Sequence, residues 1–410
     1  MLYYSINTPH IKVSLHEAVR RGVDPDGGIY MPERIPYIPK AFFNNIGDIS
    51  LPDIGYVVAN MLFGSDIDSP TIHEVLTGAI NFDTPLVEIK PRIYALELFN
   101  GPSHSYKDFS ARFMAQLLHH IHHKDDKTVN VLVATTGDAG EAIARAFYGM
   151  EGIRVIVLFP RNGIGKAQYR AISSLGSNII PVEVNGSFVD CHRMVKDAFA
   201  DKELSEKLSL MAANSFNIAR LLAQTFYFFY AYARLRNAPD FKEDSRLVIS
   251  VPAGNLGSLT AGIIARKMGL PVDRFVIARP EGDYFLDTYL ATGEVDISSP
   301  TVPPNFIRLL DLFNNDHRAL AREVKIIEFP VKEINARIAS SAYPLEPNAA
   351  AALMALDQVI KPDETGIFFA TTHPDKCKSD NDFHNRSRHN NLITLPDNSH
   401  SLKNFLLSLD

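Results

Sequence analysis

From residue 129 onward, short and continuously apolar runs alternate with helical stretches. The runs 129–134, 155–159 and 179–184 are separated by helical patterns over 141–150 and 166–175, and a further helical pattern covers 188–199. A strand that is apolar on both faces must be covered on both faces, and alternation with helices supplies that cover. The expected product is a parallel sheet. A second series repeats the pattern: runs at 247–251, 275–278 and 366–370, with a helical stretch over 259–268. Two α/β units are therefore expected, with ligands at the C-terminal ends of their strands. The first ninety or so residues differ. They carry turn signals at Asp24-Pro25-Asp26-Gly27-Gly28 and at Pro32, Pro36 and Pro39. Ser14, with Glu17 three residues on, reads as the cap of a helix running to Arg21. These features predict an irregular α+β N-terminal domain over 1–92. The large α/β domain is expected to comprise 93–127 and 215–410, with a small α/β domain over 128–214 inserted in it.

Several classes are disfavoured by composition. Of the 410 residues, 46% are hydrophobic, enough for sizeable cores, and the net charge is −6 with no basic run. Nucleic-acid binding is therefore not expected. The densest apolar run, 226–233, is far short of the roughly 18 residues a membrane span needs. Two cysteines cannot build a disulfide framework, and the N-terminus shows no signal core. The expectation is a cytoplasmic protein, monomeric or homodimeric, acting on a small molecule.

Three segments carry chemistry. Gly254-Asn255-Leu256-Gly257-Ser258 lies between a strand run and a helical pattern. There, glycines admit an anion close to the backbone and a helix N-terminus presents free N–H groups. Phosphate binding and a silent glycine-rich connection are both compatible with that spacing. Thr135-Thr136-Gly137-Asp138-Ala139-Gly140 has the same placement; it could hold a carboxylate or phosphate, or simply cap a helix through Thr or Asp. Neither segment has the spacing of a nucleotide P-loop or a dinucleotide fingerprint. Lys107 opens an amphipathic helical pattern with Phe109, Phe113, Leu117 and Ile121 on one side. Burial and the helix dipole would lower its pKa and favour Schiff-base chemistry, although a surface lysine is the commoner outcome of such a pattern. His119, His120, His122 and His123 fit a helix C-terminus, where positive side chains suit the dipole, better than a metal set. The aromatic run from Phe226 to Tyr232 reads as core packing.

Taken together, these segments resemble threonine synthase, a pyridoxal-phosphate family of the tryptophan-synthase-β fold type (fold type II). The likeness extends to about residue 376. It is carried by Gly27-Gly28-Ile29-Tyr30-Met31-Pro32-Glu33, by Leu98-Phe99-Asn100-Gly101-Pro102 through Lys107-Asp108-Phe109, and by the two loops in their order. The resemblance implies that Lys107 forms the Schiff base with pyridoxal 5′-phosphate. It implies that Gly254, Asn255, Leu256, Gly257 and Ser258 hold the cofactor phosphate and that Thr371 meets the pyridine nitrogen. Asp138 would face the cofactor, and Thr135, Thr136, Gly137 and Ala139 would meet the substrate carboxylate and the ring. Asn217 and Arg220, in Asn214-Ser215-Phe216-Asn217-Ile218-Ala219-Arg220, are the implied substrate contacts. A guanidinium fork suits phosphate. The implied reaction converts O-phospho-L-homoserine and water to L-threonine and phosphate.

The sequence departs from the family pattern where substrate is expected. Ser103-His104-Ser105-Tyr106-Lys107-Asp108 stands for T-L-A-F-K-D, and Thr136 and Ala139 replace a serine and a threonine. Arg279-Pro280-Glu281-Gly282-Asp283 occupies the place of N-x-N-D, and Glu346-Pro347-Asn348 that of D-P-H. A divergent phospho-lyase or amino-acid dehydratase is the alternative enzyme; a catalytically silent ligand-binding scaffold is the alternative from another class.

Overall fold

The structure is a computed structural model that describes residues 1–409 except 123–126, 240, 243, 283–284, 298, 300–301 and 379–391. Its strands are β1 (Tyr3–Ser5), β2 (Lys12–Val13), β3 (Tyr30–Pro32), β4 (Leu86–Lys90), β5 (Ile93–Glu97), β6 (Val129–Ala134) and β7 (Ile153–Pro160). They continue with β8 (Ile179–Asn185), β9 (Ser209–Ala212), β10 (Arg246–Pro252), β11 (Arg274–Pro280), β12 (Val324–Phe329), β13 (Glu364–Ala370) and β14 (Ile393–Pro396). Three sheets result. A small antiparallel sheet has the order β2-β1-β3, a six-stranded sheet the order β12-β11-β10-β13-β5-β4, and a five-stranded sheet the order β14-β8-β7-β6-β9. The five-stranded sheet is parallel throughout; the six-stranded one is parallel except for β4, which runs against β5.

The apolar runs read from sequence are the central strands of the two large sheets. Their neighbours extend the picture. β14 pairs in register with β8, Ile393 opposite Val182, so the C-terminal segment belongs to the five-stranded sheet and not to the large unit in which a boundary of 215–410 places it. β4 is likewise part of the six-stranded sheet, so the N-terminal unit ends before residue 86. That unit is more regular than its turn signals suggest. It holds the helices Leu51–Phe63 and Ser69–Ala79, capped by Ser50 and Asp68. The helix Leu15–Arg21 begins at Ser14, whose hydroxyl accepts from the Glu17 N–H at 3.2 Å.

At the centre lies the helix Thr225–Arg236. Phe226, Tyr227, Phe228 and Phe229 are all completely buried, which an all-round apolar helix requires. Phe228 packs edge-on to Phe369 of β13 at 4.8 Å, and Phe226 meets Phe113 at 5.2 Å. The helix thus clamps the six-stranded sheet to the helix Lys107–His122. At the other end of that helix, His120 meets Thr71 at 3.3 Å and His122 bonds the carbonyl of Lys127; His123 lies outside the described residues.

Candidate active site

The segment before Lys107 is fixed by β13 and the turn after it. Leu98 N–H donates to Ala370 O at 2.9 Å, Tyr106 N–H to Thr371 O at 2.8 Å, and His373 N–H to His104 O at 3.0 Å. This zipper brings Lys107 beside Thr371. The tight turn at its start depends on Gly101. A Cβ there would lie 2.5 Å from Asp108 Oδ2 and 2.8 Å from Asp108 Cβ, so only glycine fits. Asp108 in turn accepts from Ser103 N–H at 2.8 Å while fully buried, and burial pushes its carboxyl up to about 6.

Lys107 is the first residue of its helix, and its Nζ lies 4.0 Å from Asp138 Oδ2. Burial lowers the amine pKa, and the positive charges of Arg220 and Lys376 lower it further, against the pull of Asp138. A less basic lysine is a better nucleophile and proton carrier near neutrality. Asp138 opens the helix Asp138–Phe147 at the end of β6. Burial raises its pKa, but Lys107, Lys376 and the Gln168 amide outweigh that and hold the carboxyl below its ordinary value. Lys376, not singled out from sequence, closes the arrangement. Its Nζ donates to Ser103 O at 2.7 Å and pairs with Asp138 Oδ1 and Glu141 Oε2, both at 2.9 Å. One ammonium therefore ties the lysine loop, the turn after β13 and the helix of the five-stranded sheet.

Arg220 is 4% exposed and has no carboxylate within ion-pair distance among the described residues. Its Nε and Nη2 reach Ser110 Oγ at 3.3 and 3.2 Å, and Nη1 reaches Ala213 O at 3.1 Å. Ser110 lies three residues along the helix from Lys107. Burial pushes the guanidinium down to about 10. A buried cation without a counter-charge is costly, so this is a place built to receive an anion.

Thr371 Oγ1 donates to Glu346 Oε1 at 2.9 Å. Glu346 stands where the family pattern has aspartate. It caps the helix Pro347–Val359 by accepting from Asn348 and Ala349 N–H, and burial raises its pKa. The segment replacing N-x-N-D is occupied by ion pairs: Arg279, 5% exposed, contacts Asp287 and Glu328. Asp283 lies outside the described residues.

Residues 253–256 link β10 to the helix Gly257–Lys267. Leu256 takes a left-handed conformation, φ 60°, unusual for a residue with a Cβ. Asn255 accepts from Gly257 N–H at 3.1 Å and donates to Ser215 Oγ at 2.7 Å, so the loop is bound to the segment that carries Arg220. A Cβ on Gly257 would lie 3.1 Å from Asn255 Oδ1, 3.2 Å from Asn305 Nδ2 and 3.5 Å from Gln224 Nε2. Three side-chain amides thus ring a space that a side chain would fill. Ser258 Oγ meets Tyr227 OH at 3.2 Å. A phosphate fits a cradle of this kind through the amide nitrogens of Asn305 and Gln224 beside a glycine, at the N-terminus of an eleven-residue helix; Asn255 turns its oxygen to the same place and accepts from Gly257 N–H.

Two sequence-derived contacts come out differently. Asn217 is completely buried and capped into structure: Nδ2 donates to Val19 O at 2.8 Å, and Oδ1 accepts from Ala219 N–H at 3.0 Å. It ties the N-terminal unit to the helix Ile218–Ala223 and is not presented to a ligand. Thr135 is also buried, its hydroxyl accepting from Gly137 and Gly140 N–H at 3.0 and 2.9 Å; it shapes the turn. Thr136 is exposed, and Asp138 and Ala139 begin the helix, where N–H groups have no intrahelical acceptor.

A family profile described as pyridoxal-phosphate dependent enzyme matches residues 80–370, and one described as threonine synthase N terminus matches residues 2–80. The threonine synthase of Haemophilus influenzae is 37% identical over 390 residues, covering 92% of this chain and 90% of that one. The chain belongs to the threonine synthase family. The Escherichia coli family member is 34% identical over 393 residues, covering 92% and 90% of the two chains. The crystal structure of threonine synthase from Escherichia coli superposes with a TM-score of 0.86 at 31% identity, covering 100% of both chains. The yeast crystal structure, at 24% identity and a TM-score of 0.85, shares the fold. The cofactor is accordingly pyridoxal phosphate, and the chain is a lyase of that class. No helix among the described residues is long and apolar enough to cross a membrane.

Proposed function

We propose that the chain converts O-phospho-L-homoserine and water to L-threonine and phosphate, in the cytoplasm, through the residues gathered around Lys107. The observation that carries this reading is Arg220: a buried guanidinium with no carboxylate in ion-pair reach among the described residues, joined through Ser110 to the helix that Lys107 opens. A phosphate ester has the charge and the oxygens that such a guanidinium binds. When bound, pyridoxal phosphate supplies an electron sink for carbanions at the amino acid.

Lys107 holds the cofactor and then moves protons at the substrate Cα and Cβ, which its lowered basicity suits. Arg220 holds the substrate phosphate and stabilises the charge that grows as the Cγ–O bond breaks. The N–H groups opening the helix Asp138–Phe147 receive the substrate carboxylate. Thr371 presents a hydroxyl to the pyridine side, its proton engaged by Glu346. Asn255 Nδ2, bonded to Ser215, couples the phosphate loop to the Arg220 segment. In balance, Cβ exchanges one hydrogen for the hydroxyl of water, and Cγ exchanges phosphate for hydrogen.

The test is an end-point assay with cofactor-loaded protein and O-phospho-L-homoserine. Threonine and phosphate in equal amounts support the reading. Phosphate with a keto acid indicates elimination without water addition, the phospho-lyase alternative. Absence of both products refutes the assignment of substrate.

A further inference from the structure

Helix Pro304–Leu312 carries two buried polar residues that the reaction, as derived, does not use. Asn305 and Arg308 are both completely buried. Arg308 has no carboxylate within ion-pair distance among the described residues. Its partners are neutral: Tyr30 O at 3.2 Å from Nε and 3.0 Å from Nη2, Phe216 O at 2.7 Å, and Asn305 Oδ1 at 2.7 Å. Burial pushes this guanidinium down to about 9. Arg308 can only donate, so the amide of Asn305 is oriented without ambiguity. Its oxygen must face Arg308 and its nitrogen must face the other way. That nitrogen, Nδ2, is buried and makes no hydrogen bond. It points to the Gly257 cradle, 3.2 Å from the place a Cβ would take.

A buried donor without an acceptor is costly to keep in a folded protein. Here it sits beside the loop read as the phosphate site, on the far end of an amide held by a buried cation whose hydrogen-bond partners are neutral and which feels Asp311 only at a distance. We infer that Asn305 Nδ2 is a ligand of the cofactor phosphate and that Arg308 is its positioning residue, fixing the amide and lending charge to the cradle. The inference rests on the reading of residues 254–258 as the phosphate loop. It explains two costs at once: a phosphate there satisfies the orphaned donor and brings negative charge toward Arg308. Tyr30 O and Phe216 O, the other acceptors, belong to the N-terminal unit and to the Arg220 segment. Occupation of the cradle is thereby linked to both.

The experiment compares pyridoxal 5′-phosphate with pyridoxal, which reacts with the same lysine but has no phosphate. Binding is titrated by visible absorbance of the lysine adduct, without reference to turnover. Asn305→Ala should raise Kd for pyridoxal 5′-phosphate at least about 10-fold and leave that for pyridoxal within about 2-fold. Asn305→Asp keeps the contact to Arg308 but sets a carboxylate against the phosphate, and should raise Kd more than about 100-fold for the phosphorylated form only. Equal losses for both forms would mean a merely structural role, and unchanged Kd values would remove Asn305 from the site; either overturns the inference. If Asn305→Ala fails to fold, the Asp variant decides by the same comparison. Gly257→Ala separates the two levels. If it penalises the phosphorylated form while the Asn305 variants do not, the loop reading stands and the Asn305 assignment fails. If neither discriminates, the loop reading itself is wrong.

Discussion

Replacing Arg220 by methionine should have opposite effects on stability and on phosphate recognition. The guanidinium is 4% exposed and burial brings its pKa down to about 10. A shift of that size corresponds to about 3 kcal/mol of unfavourable charge burial. Methionine fills much of the same space without the charge. The substitution also breaks the bonds to Ser110 Oγ and Ala213 O. Ser110 can turn to Lys107 O, which it already meets at 3.2 Å. The Ala213 carbonyl is left unpaired, a cost of about 1–3 kcal/mol. The ligand-free protein should therefore gain about 0–2 kcal/mol, a Tm rise of at most a few degrees for a chain of this length. Loss of a buried partner to phosphate costs about 2–5 kcal/mol, so kcat/KM for the phosphorylated substrate should fall roughly 30- to 5,000-fold. Calorimetry of the ligand-free protein and steady-state kinetics read the two effects. A fall in Tm of more than about 3 °C, with kcat/KM within about 3-fold of the parent, would refute the reasoning.

Other substitutions test other parts of the site. Lys107→Ala should abolish the visible absorbance of the cofactor adduct; an unchanged spectrum would move the Schiff base elsewhere. Lys376→Met removes a charge that repels Lys107 and frees Asp138 to attract it, so the Lys107 pKa should rise. The pH midpoint for cofactor capture should shift upward with it, and a midpoint that stays or falls contradicts the geometry. Glu364, completely buried, is held by Arg274 through two bonds of 2.7 and 2.8 Å, which bring its pKa down to about 2 from 4.5. The stability this confers, about 3 kcal/mol, is present above pH 4.5 and is lost as pH falls toward 2. Glu364→Gln should lower Tm at neutral pH and flatten its decline below pH 4.5; parallel Tm–pH curves for parent and variant would contradict the pairing.

The central strands were legible because a strand buried on both faces leaves a run of apolar residues that nothing else in the chain imitates. β14 leaves no such trace. Its four residues alternate between half-buried and exposed, since it is an edge strand, and only its pairing with β8 places it. The N-terminal helices Leu51–Phe63 and Ser69–Ala79 were hidden among turn signals, although each begins with a capping side chain followed by a proline. Within the site, Lys107 and the two loops were visible because glycines and a lysine mark backbone requirements locally. Lys376 was not, and Glu346 stood out only as a departure from D-P-H, without its partner Thr371. Each acts across the fold, on Asp138 and on Thr371, and no local pattern announces such a pairing. Asn217 shows the converse. A polar residue in a family motif can serve the backbone: here it bonds Val19 O, 198 residues away in sequence.

The most direct test of the reaction is to run it in water enriched in oxygen-18 and locate the label. Cleavage of the Cγ–O bond with water added at Cβ puts the label in the hydroxyl of threonine and leaves the released phosphate unlabelled. Homoserine together with labelled phosphate would mean attack at phosphorus, and would contradict both proton transfer by Lys107 and stabilisation of the Cγ–O cleavage by Arg220.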